Sequence, residues 1–291
     1  MKILDGKKIS ALIKEEISLE VKKIISNNGK RPHLSAILVG ENGASQTYVN
    51  AKVKACEKVG FESTLIRLDN NITQEQLLEE INKININKNI DGLIVQLPLP
   101  ESFDEDLITK SILPHKDVDG FHPLNIGNMV LNLPTFVSAT PAGIIELLSR
   151  YNINTSGKHC VVLGRSNIVG TPMSILMSRK NNPGNATVTL AHSRTTNLKE
   201  ICLSADILIV ALGKANFITK DMIKPGACII DVGITRVKSD FTKSGWKLVG
   251  DVNFKDVSEK CGYITPVPGG VGPMTIAMLL KNTLLASKST F

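Results

Sequence analysis

Tyr48 stands four residues before Lys52 in "ASQTYVNAKVKACEKVG", residues 44–60. On a helix that spacing puts both side chains on one face, where a phenol and an amine can act on a single ligand. Taken alone, the spacing is ordinary on a charged helix, so chemistry here requires further partners from the same half of the chain. Gln96 and Asp119 are the candidates. The first lies near the end of the apolar stretch "GLIVQLPLP", at the edge of a parallel sheet where ligands usually bind; the second lies in "KDVDGFHP", where Asp-Gly equally suits a plain turn. In a short-chain dehydrogenase the tyrosine and lysine follow the nucleotide-binding turn, whereas this pair precedes the only comparable glycine-rich turn by over a hundred residues.

That turn is "VVLGRSNIVGTP", residues 161–172, an apolar strand running into glycines and then into a helix with Pro172 near its start. Free backbone N–H groups and the helix dipole at such a point favour a phosphate. Gly164 and Gly170 do not complete the G-x-G-x-x-G fingerprint, so the turn alone suits a plain strand-to-helix connection equally well. The next strand sharpens the reading. An NAD site usually ends that strand with an acid for the ribose 2′-hydroxyl, but "TVTLAHSRTT" offers His192, Ser193 and Arg194, with Arg165 already in the turn. Cations and hydroxyls without a carboxylate favour a 2′-phosphate, hence NADP over NAD.

The elements that must hold these residues alternate. A helical pattern over 7–27 stops at "NNGK"; "HLSAILVG" reads as a buried strand, followed by the Tyr48/Lys52 helix, strand "FESTLIRL", helix "TQEQLLEEINKI" and strand "DGLIVQLPLP". After a loop-rich interval ending near "SATP" the alternation resumes with "HCVVLG", "PMSILMSRK", "ATVTLA", "NLKEICLS", "ADILIVAL", a helix at "KDMIKPG" and strand "CIIDVGI". A stiff "ITPVPGGVGP" then leads into an apolar terminal helix. The expected fold class is α/β, as two α/β domains in tandem with parallel sheets.

A chain of 291 residues with 42% hydrophobic content is long enough to build such cores. No apolar run reaches the roughly 18 residues of a membrane helix, and the first segment lacks the apolar core of a signal peptide, so no membrane partner and a cytoplasmic location are expected. Five scattered cysteines without a C-x-x-C pair argue for buried, reduced thiols and no metal. The net charge of +7 is spread along the chain without a dense basic block or aromatic platform. That pattern suits small anionic ligands better than nucleic acid.

Taken in order, "YVNAKVKACEKVG", "DGLIVQLPLP", "HKDVDGFHPLNIG", "TPAGIIELL", "GKHCVVLGRSNIVGTP", "ATVTLAHSRT", "ADILIVALG", "IIDVGI", "GDV" and "ITPVPGGVGPMT" resemble the bifunctional methylenetetrahydrofolate dehydrogenase/methenyltetrahydrofolate cyclohydrolase family over essentially the whole chain. The resemblance implies a folate-binding catalytic domain at 1–138 and 270–291, to which the last helix returns, and an NADP-binding Rossmann-like domain at 139–269. A substrate cleft between them and a homodimer formed through the cofactor domain are also implied.

By resemblance Lys52 is catalytic, Tyr48 stacks on the folate, Gln96 assists Lys52, and Asp119 hydrogen-bonds the pterin. Leu97, Pro98, Pro268, Gly269 and Gly270 touch substrate, while Gly164, Arg165, Ser166, Ser193, Ile234 and Thr275 match cofactor positions. "SATP" departs from the family's Pro-Cys-Thr-Pro by placing Ala139 where the cysteine stands, which the chemistry does not need.

The implied reactions are hydride transfer from 5,10-methylenetetrahydrofolate to NADP and hydration of the methenyl product to 10-formyltetrahydrofolate. The first demands alignment; the second demands a proton acceptor. A lysine accepts a proton only as the neutral amine, a form that burial and a cationic substrate favour. The competing readings are another NADP-dependent dehydrogenase on this architecture, a nucleic-acid-binding module, and a scaffold that binds folate without turnover.

Overall fold

The computed structural model of the chain describes residues 1–242 and 245–288 and divides into two compact units. One comprises residues 11–139 with 276 onward, the other residues 1–10 with 140–275. Residues 1–10 and 270–275 thus cluster with the second unit rather than the first, and residues 289–291 of the expected 270–291 segment lie outside the described residues.

The chain begins with strand β1 (Lys2–Ile3) and helix α1 (Gly6–Ser26). Ile13, Ile17 and Val21, four residues apart, give α1 a buried stripe, and Asn28 at φ +59° with the Gly29 N–H donating to the Ile24 carbonyl stops it at the predicted "NNG". In the first unit β2 (His33–Val39), α2 (Gly43–Val59), β3 (Glu62–Leu68), α3 (Gln74–Ile86) and β4 (Gly92–Val95) alternate as expected. The sheet order is β3-β2-β4, all parallel, with β2 buried at its centre.

Thr73 and Gln76 form a capping box that starts α3, whose Leu77, Ile81 and Ile84 pack on Ile37, Leu93 and Val95 of the sheet. The buried Lys116 donates to the Ile84 and Asn87 carbonyls, both at 2.6 Å, and so satisfies the end of α3 with a cation. Short helices α4 (Glu105–Ser111) and α5 (Pro123–Val130) follow, the latter started by His122, whose Nδ1 accepts the Leu124 N–H.

After α6 (Ala139–Arg150) the second unit runs β5 (His159–Leu163), α7 (Gly170–Ser178), β6 (Thr187–Ala191), α8 (Leu198–Leu203), β7 (Ile207–Val210), β8 (Cys228–Asp231), β9 (Thr235–Lys238), β10 (Trp246–Val249), α9 (Phe254–Ser258) and β11 (Tyr263–Ile264); α10 (Val271–Ala286) starts in it and belongs from residue 276 to the first unit. The second unit's sheet has the order β1-β11-β8-β7-β5-β6 and is parallel throughout; β9 and β10 form a separate antiparallel pair. From β5 the chain steps outward to β6 and then back across β5 to β7, which makes the C-terminal ends of β5 and β7 a topological switch point.

The fold is thus α/β with two units, the second doubly wound and Rossmann-like. The helix expected at "KDMIKPG" is only a 3-10 turn, Lys220–Met222, because Pro225 disfavours helical backbone at Lys224 and supplies no N–H. All five cysteines are free and buried, and burial pushes the Cys56 and Cys160 thiols up to about 12. Among the described residues no helix is long and apolar enough to cross a membrane.

Candidate functional site

Helix α2 buries Val49, Lys52, Ala55, Cys56 and Val59, an apolar stripe at helical spacing interrupted by one lysine. Lys52 is 7% exposed. Its Nζ donates a hydrogen bond of 3.1 Å to Gln96 Oε1, and no other described residue accepts from it. Gln96 follows the C-terminal end of β4. Its own N–H donates to the Ile37 carbonyl on β2 and its amide Nε2 to the Leu97 carbonyl at 2.6 Å, so both backbone and side chain are fixed. Leu97 and Pro98 continue directly from it through a cis peptide bond. Tyr48, one turn before Lys52 on α2, is 37% exposed, and burial raises its phenol above the ordinary value. A buried amine with unfilled hydrogen-bonding capacity, beside a fixed amide and a half-open phenol, is costly unless something else binds there.

Asp119 lies in the loop after the Lys116–Asp117 segment that runs beside β4, and its half-buried carboxylate receives no hydrogen bond from the described residues. Its neighbour Asp117, 2% exposed, is the residue that shapes the loop. The Asp117 carboxylate accepts the His122 N–H at 2.7 Å and the Asn125 amide at 2.8 Å, and burial pushes it up to about 6. At Gly120, φ +73°, an added Cβ would lie 2.7 Å from the Ser138 backbone, so the turn is closed by glycine for steric as well as torsional reasons. From α10 the Asn282 amide donates to the Val118 and Val137 carbonyls, which pins both sides of the loop.

In the second unit the turn after β5 is built by close backbone approach. A Cβ on Gly164, φ +109°, would lie 2.2 Å from the Ala211 carbonyl oxygen, and one on Gly170 would lie 1.9 Å from the Gly164 carbonyl oxygen. Ser166 Oγ accepts the Val169 N–H at 3.2 Å and so folds the turn into α7. A cavity of about 330 Å³ opens there, lined by Gly164, Arg165, His192, Ser193 and Lys214 among others. Among the described residues no carboxylate lines it. His192 Nδ1 accepts the Arg194 N–H at 3.2 Å, and its own N–H donates to Thr195 Oγ1.

The structure therefore brings Gly164, Arg165 and Ser193 to one cavity and joins Lys52 to Gln96. Ile234 and Thr275 are not in the lining of that cavity: Ile234 is 40% exposed beyond β8 with its Cδ1 near Gly272, and Thr275 lies on α10, where its hydroxyl pairs with Thr140 Oγ1 at 3.0 Å. Pro268 is exposed; the Gly269 carbonyl accepts the Lys7 N–H at 2.8 Å, and the Gly270 carbonyl closes against Gly6. Among the described residues no cluster of three His, Cys, Asp or Glu side chains could hold a metal ion.

The profile of the tetrahydrofolate dehydrogenase/cyclohydrolase catalytic domain matches residues 4–119, and that of the family's NAD(P)-binding domain matches residues 138–291. The chain belongs to the tetrahydrofolate dehydrogenase/cyclohydrolase family. It is 62% identical to the bifunctional protein FolD of Cytophaga hutchinsonii over 287 residues, 99% of each chain. Its fold matches the crystal structure of the bifunctional dehydrogenase/cyclohydrolase FolD of Campylobacter jejuni with a TM-score of 0.93 at 48% identity over 100% of both chains. The enzyme of Trypanosoma brucei, solved with NADP cofactor and an inhibitor, matches with a TM-score of 0.93 at 38% identity over 99% of this chain and 97% of that one.

As a member of this family the chain is an enzyme with a folate-directed catalytic domain and an NAD(P)-binding domain. Three features escaped the sequence reading: Lys214 on the cavity beside Gly164, the loop-shaping Asp117, and the buried pair Asp231 and Asp251. A tyrosine and a lysine four apart are legible in sequence; a carboxylate whose partners are backbone N–H groups of distant loops is not.

Proposed function

We propose that the protein oxidises 5,10-methylenetetrahydrofolate with NADP and then hydrolyses the methenyl product to 10-formyltetrahydrofolate, the second step assisted by Lys52. The observation that carries this reading is the buried Lys52 Nζ, held by Gln96 Oε1 at 3.1 Å with hydrogen-bonding capacity to spare. A neutral amine there can take the proton of the attacking water, and the cationic methenyl group favours that neutral form. Gln96 keeps the amine aimed, Tyr48 offers its ring to the folate, and Asp119 offers an unsatisfied carboxylate to the pterin N–H groups. Leu97 and Pro98 border the same site. Pro268, Gly269 and Gly270 as substrate contacts, and Ile234 and Thr275 as cofactor contacts, rest on the resemblance.

The nucleotide supplies the hydride acceptor. The cavity beside Gly164 fits its phosphate-bearing ribose: backbone can approach closely, and Arg165, Ser193, His192 and Lys214 surround it without a carboxylate. That composition supports NADP over NAD, as does the NADP bound to the related Trypanosoma brucei enzyme. A cytoplasmic homodimer completes the proposal, and light scattering of the purified protein tests the dimer.

The deciding experiment follows NADPH and methenyltetrahydrofolate together after 5,10-methylenetetrahydrofolate and NADP⁺ are added, with NAD⁺ in parallel. NADPH should rise while methenyl stays low, and Lys52→Met should make methenyl accumulate. No reduction of either nucleotide would sink the dehydrogenase half; full hydrolysis by Lys52→Met would sink the role of Lys52.

A further inference from the structure

Two buried aspartates lie behind the nucleotide cavity, in the segments "DVG" and "GDV". Asp231 ends β8 at 3% exposure, and Asp251 follows β10 at 0%. Asp251 is shut off from solvent and Asp231 nearly so, and each is occupied with backbone. Asp231 Oδ1 accepts the N–H groups of Gly233 and Asp251, and its Oδ2 accepts that of Val252, all at 3.0 Å. Asp251 Oδ2 in turn accepts the N–H groups of Leu212 at 2.6 Å and Gly213 at 2.9 Å, while its Oδ1 has no hydrogen-bond partner among the described residues.

The glycines of these segments exist to admit the carboxylates. A Cβ on Gly250 would sit 1.8 Å from Asp231 Oδ2, and one on Gly233 would sit 2.3 Å from Asp251 Oδ1. Burial pushes the Asp231 carboxyl up to about 6, so a group that folding penalises is nonetheless held in place. The loop that Asp251 grips begins at Ala211, whose carbonyl packs against Gly164, and continues through Leu212 to Lys214, all of them on the wall of the nucleotide cavity. Gly213 lies at φ +68°, a conformation in which its N–H turns toward the carboxylate rather than along the strand.

We propose that Asp251 is a positioning residue for the nucleotide: its carboxylate, clamped through backbone by Asp231, fixes the 211–214 loop and thereby the cavity wall that receives the cofactor. The inference rests on the NADP reading given above and names residues that this reading does not require. The two N–H groups of Leu212 and Gly213, unpaired in the absence of Asp251, would have to turn toward solvent, and the Ala211 carbonyl would move off Gly164.

Calorimetric titration of NADP⁺ into the wild type, Asp251→Asn and Asp251→Ala tests the inference, with steady-state kinetics alongside. Hydrogen bonds to a charged acceptor bring an expected loss of roughly tenfold or more in NADP⁺ affinity for Asp251→Ala. Asp251→Asn, whose amide oxygen can still accept both N–H groups, should recover most of that loss. KM for NADP⁺ should rise with the dissociation constant while kcat at saturating nucleotide stays within about twofold, a split that general destabilisation would not produce. Should the alanine variant fail to fold, Asp251→Ser takes its place with the same expectation. NADP⁺ affinities within twofold of wild type in the folded variants, or losses of kcat without change in KM, would overturn the proposal. A wild type that binds no NADP⁺ would instead overturn the nucleotide reading itself.

Discussion

The lysine site and the nucleotide turn are built in opposite ways. At Lys52 the backbone is ordinary α-helix, and the proposed chemistry resides in side chains: one amine in an apolar stripe and one amide hydrogen-bonded to it. At Gly164 and Gly170 the side chains are absent and the backbone itself is the surface, with approaches that leave no room for a Cβ. The difference determines how each site can be damaged. Removing atoms breaks the first and leaves the fold; adding atoms breaks the second and displaces the fold with it.

The largest expected effect is at the side-chain site. Lys52→Met keeps the helix stripe apolar and removes the proposed proton acceptor, so cyclohydrolase activity on preformed methenyltetrahydrofolate should fall by roughly 10²–10⁴-fold while the dehydrogenase falls much less. Equal losses in both assays would place Lys52 in folding or binding rather than in proton transfer. At the backbone site Gly170→Ala forces the turn away from the Gly164 carbonyl. Strain of this kind should raise KM for NADP⁺ by roughly 10–100-fold and lower the thermal midpoint, with cyclohydrolase activity retained. If Gly170→Ala bound NADP⁺ as well as wild type, close approach at this turn would not be what the site depends on.

The same contrast governs what the sequence disclosed. Lys52 was singled out by its spacing from Tyr48 and by the family resemblance, while its burial in an apolar stripe emerged only in the fold; the strands β2 and β5 and the capped helix α3 were legible from their patterns. Gly164 was legible as a turn, but its reason, the Ala211 carbonyl 47 positions away, was not. Strands β1 and β11, two residues each, are too short to carry a period, so the entry of the first residues into the second sheet could not be read. Asp231 and Asp251 hold N–H groups of loops up to 39 positions distant, and no side-chain pattern records such partners. The expected helix at "KDMIKPG" failed because apolar spacing was weighed above the breaking effect of Pro225.

A milder perturbation separates charge from backbone within the nucleotide cavity. Arg165→Ala leaves the glycine geometry untouched and removes one cation from the wall. KM for NADP⁺ should rise about tenfold through the missing charged hydrogen bond, while that for NAD⁺, which lacks the phosphate, should be unaffected. The measured ratio of the two KM values sharpens the comparison: a loss shared by both nucleotides would assign Arg165 to the turn's structure instead of to the 2′-phosphate.

Asp117 lies between the two kinds of site, a side chain whose task is to organise backbone, and its effect belongs on stability. Its carboxyl is pushed up to about 6 in the folded protein against an ordinary value near 4, because burial outweighs the hydrogen bonds from His122 and Asn125. The folded state therefore holds the proton more tightly than the unfolded chain. Stability from this residue is greatest at low pH and is lost as pH rises from about 4 to about 6, by on the order of 2–3 kcal/mol, with no further change above. Asp231, raised to about 6 by the same cause, acts in the same window, so Asp117→Asn should remove part of the slope and not all of it. Urea unfolding of wild type and Asp117→Asn at a series of pH values measures the difference. A wild-type slope that Asp117→Asn leaves unchanged would mean that the loop relaxes enough to hydrate the carboxylate, and the loop carrying Asp119, which Asp117 bridges to Leu93 of β4, would then be a far softer platform than the Lys52–Gln96 pair.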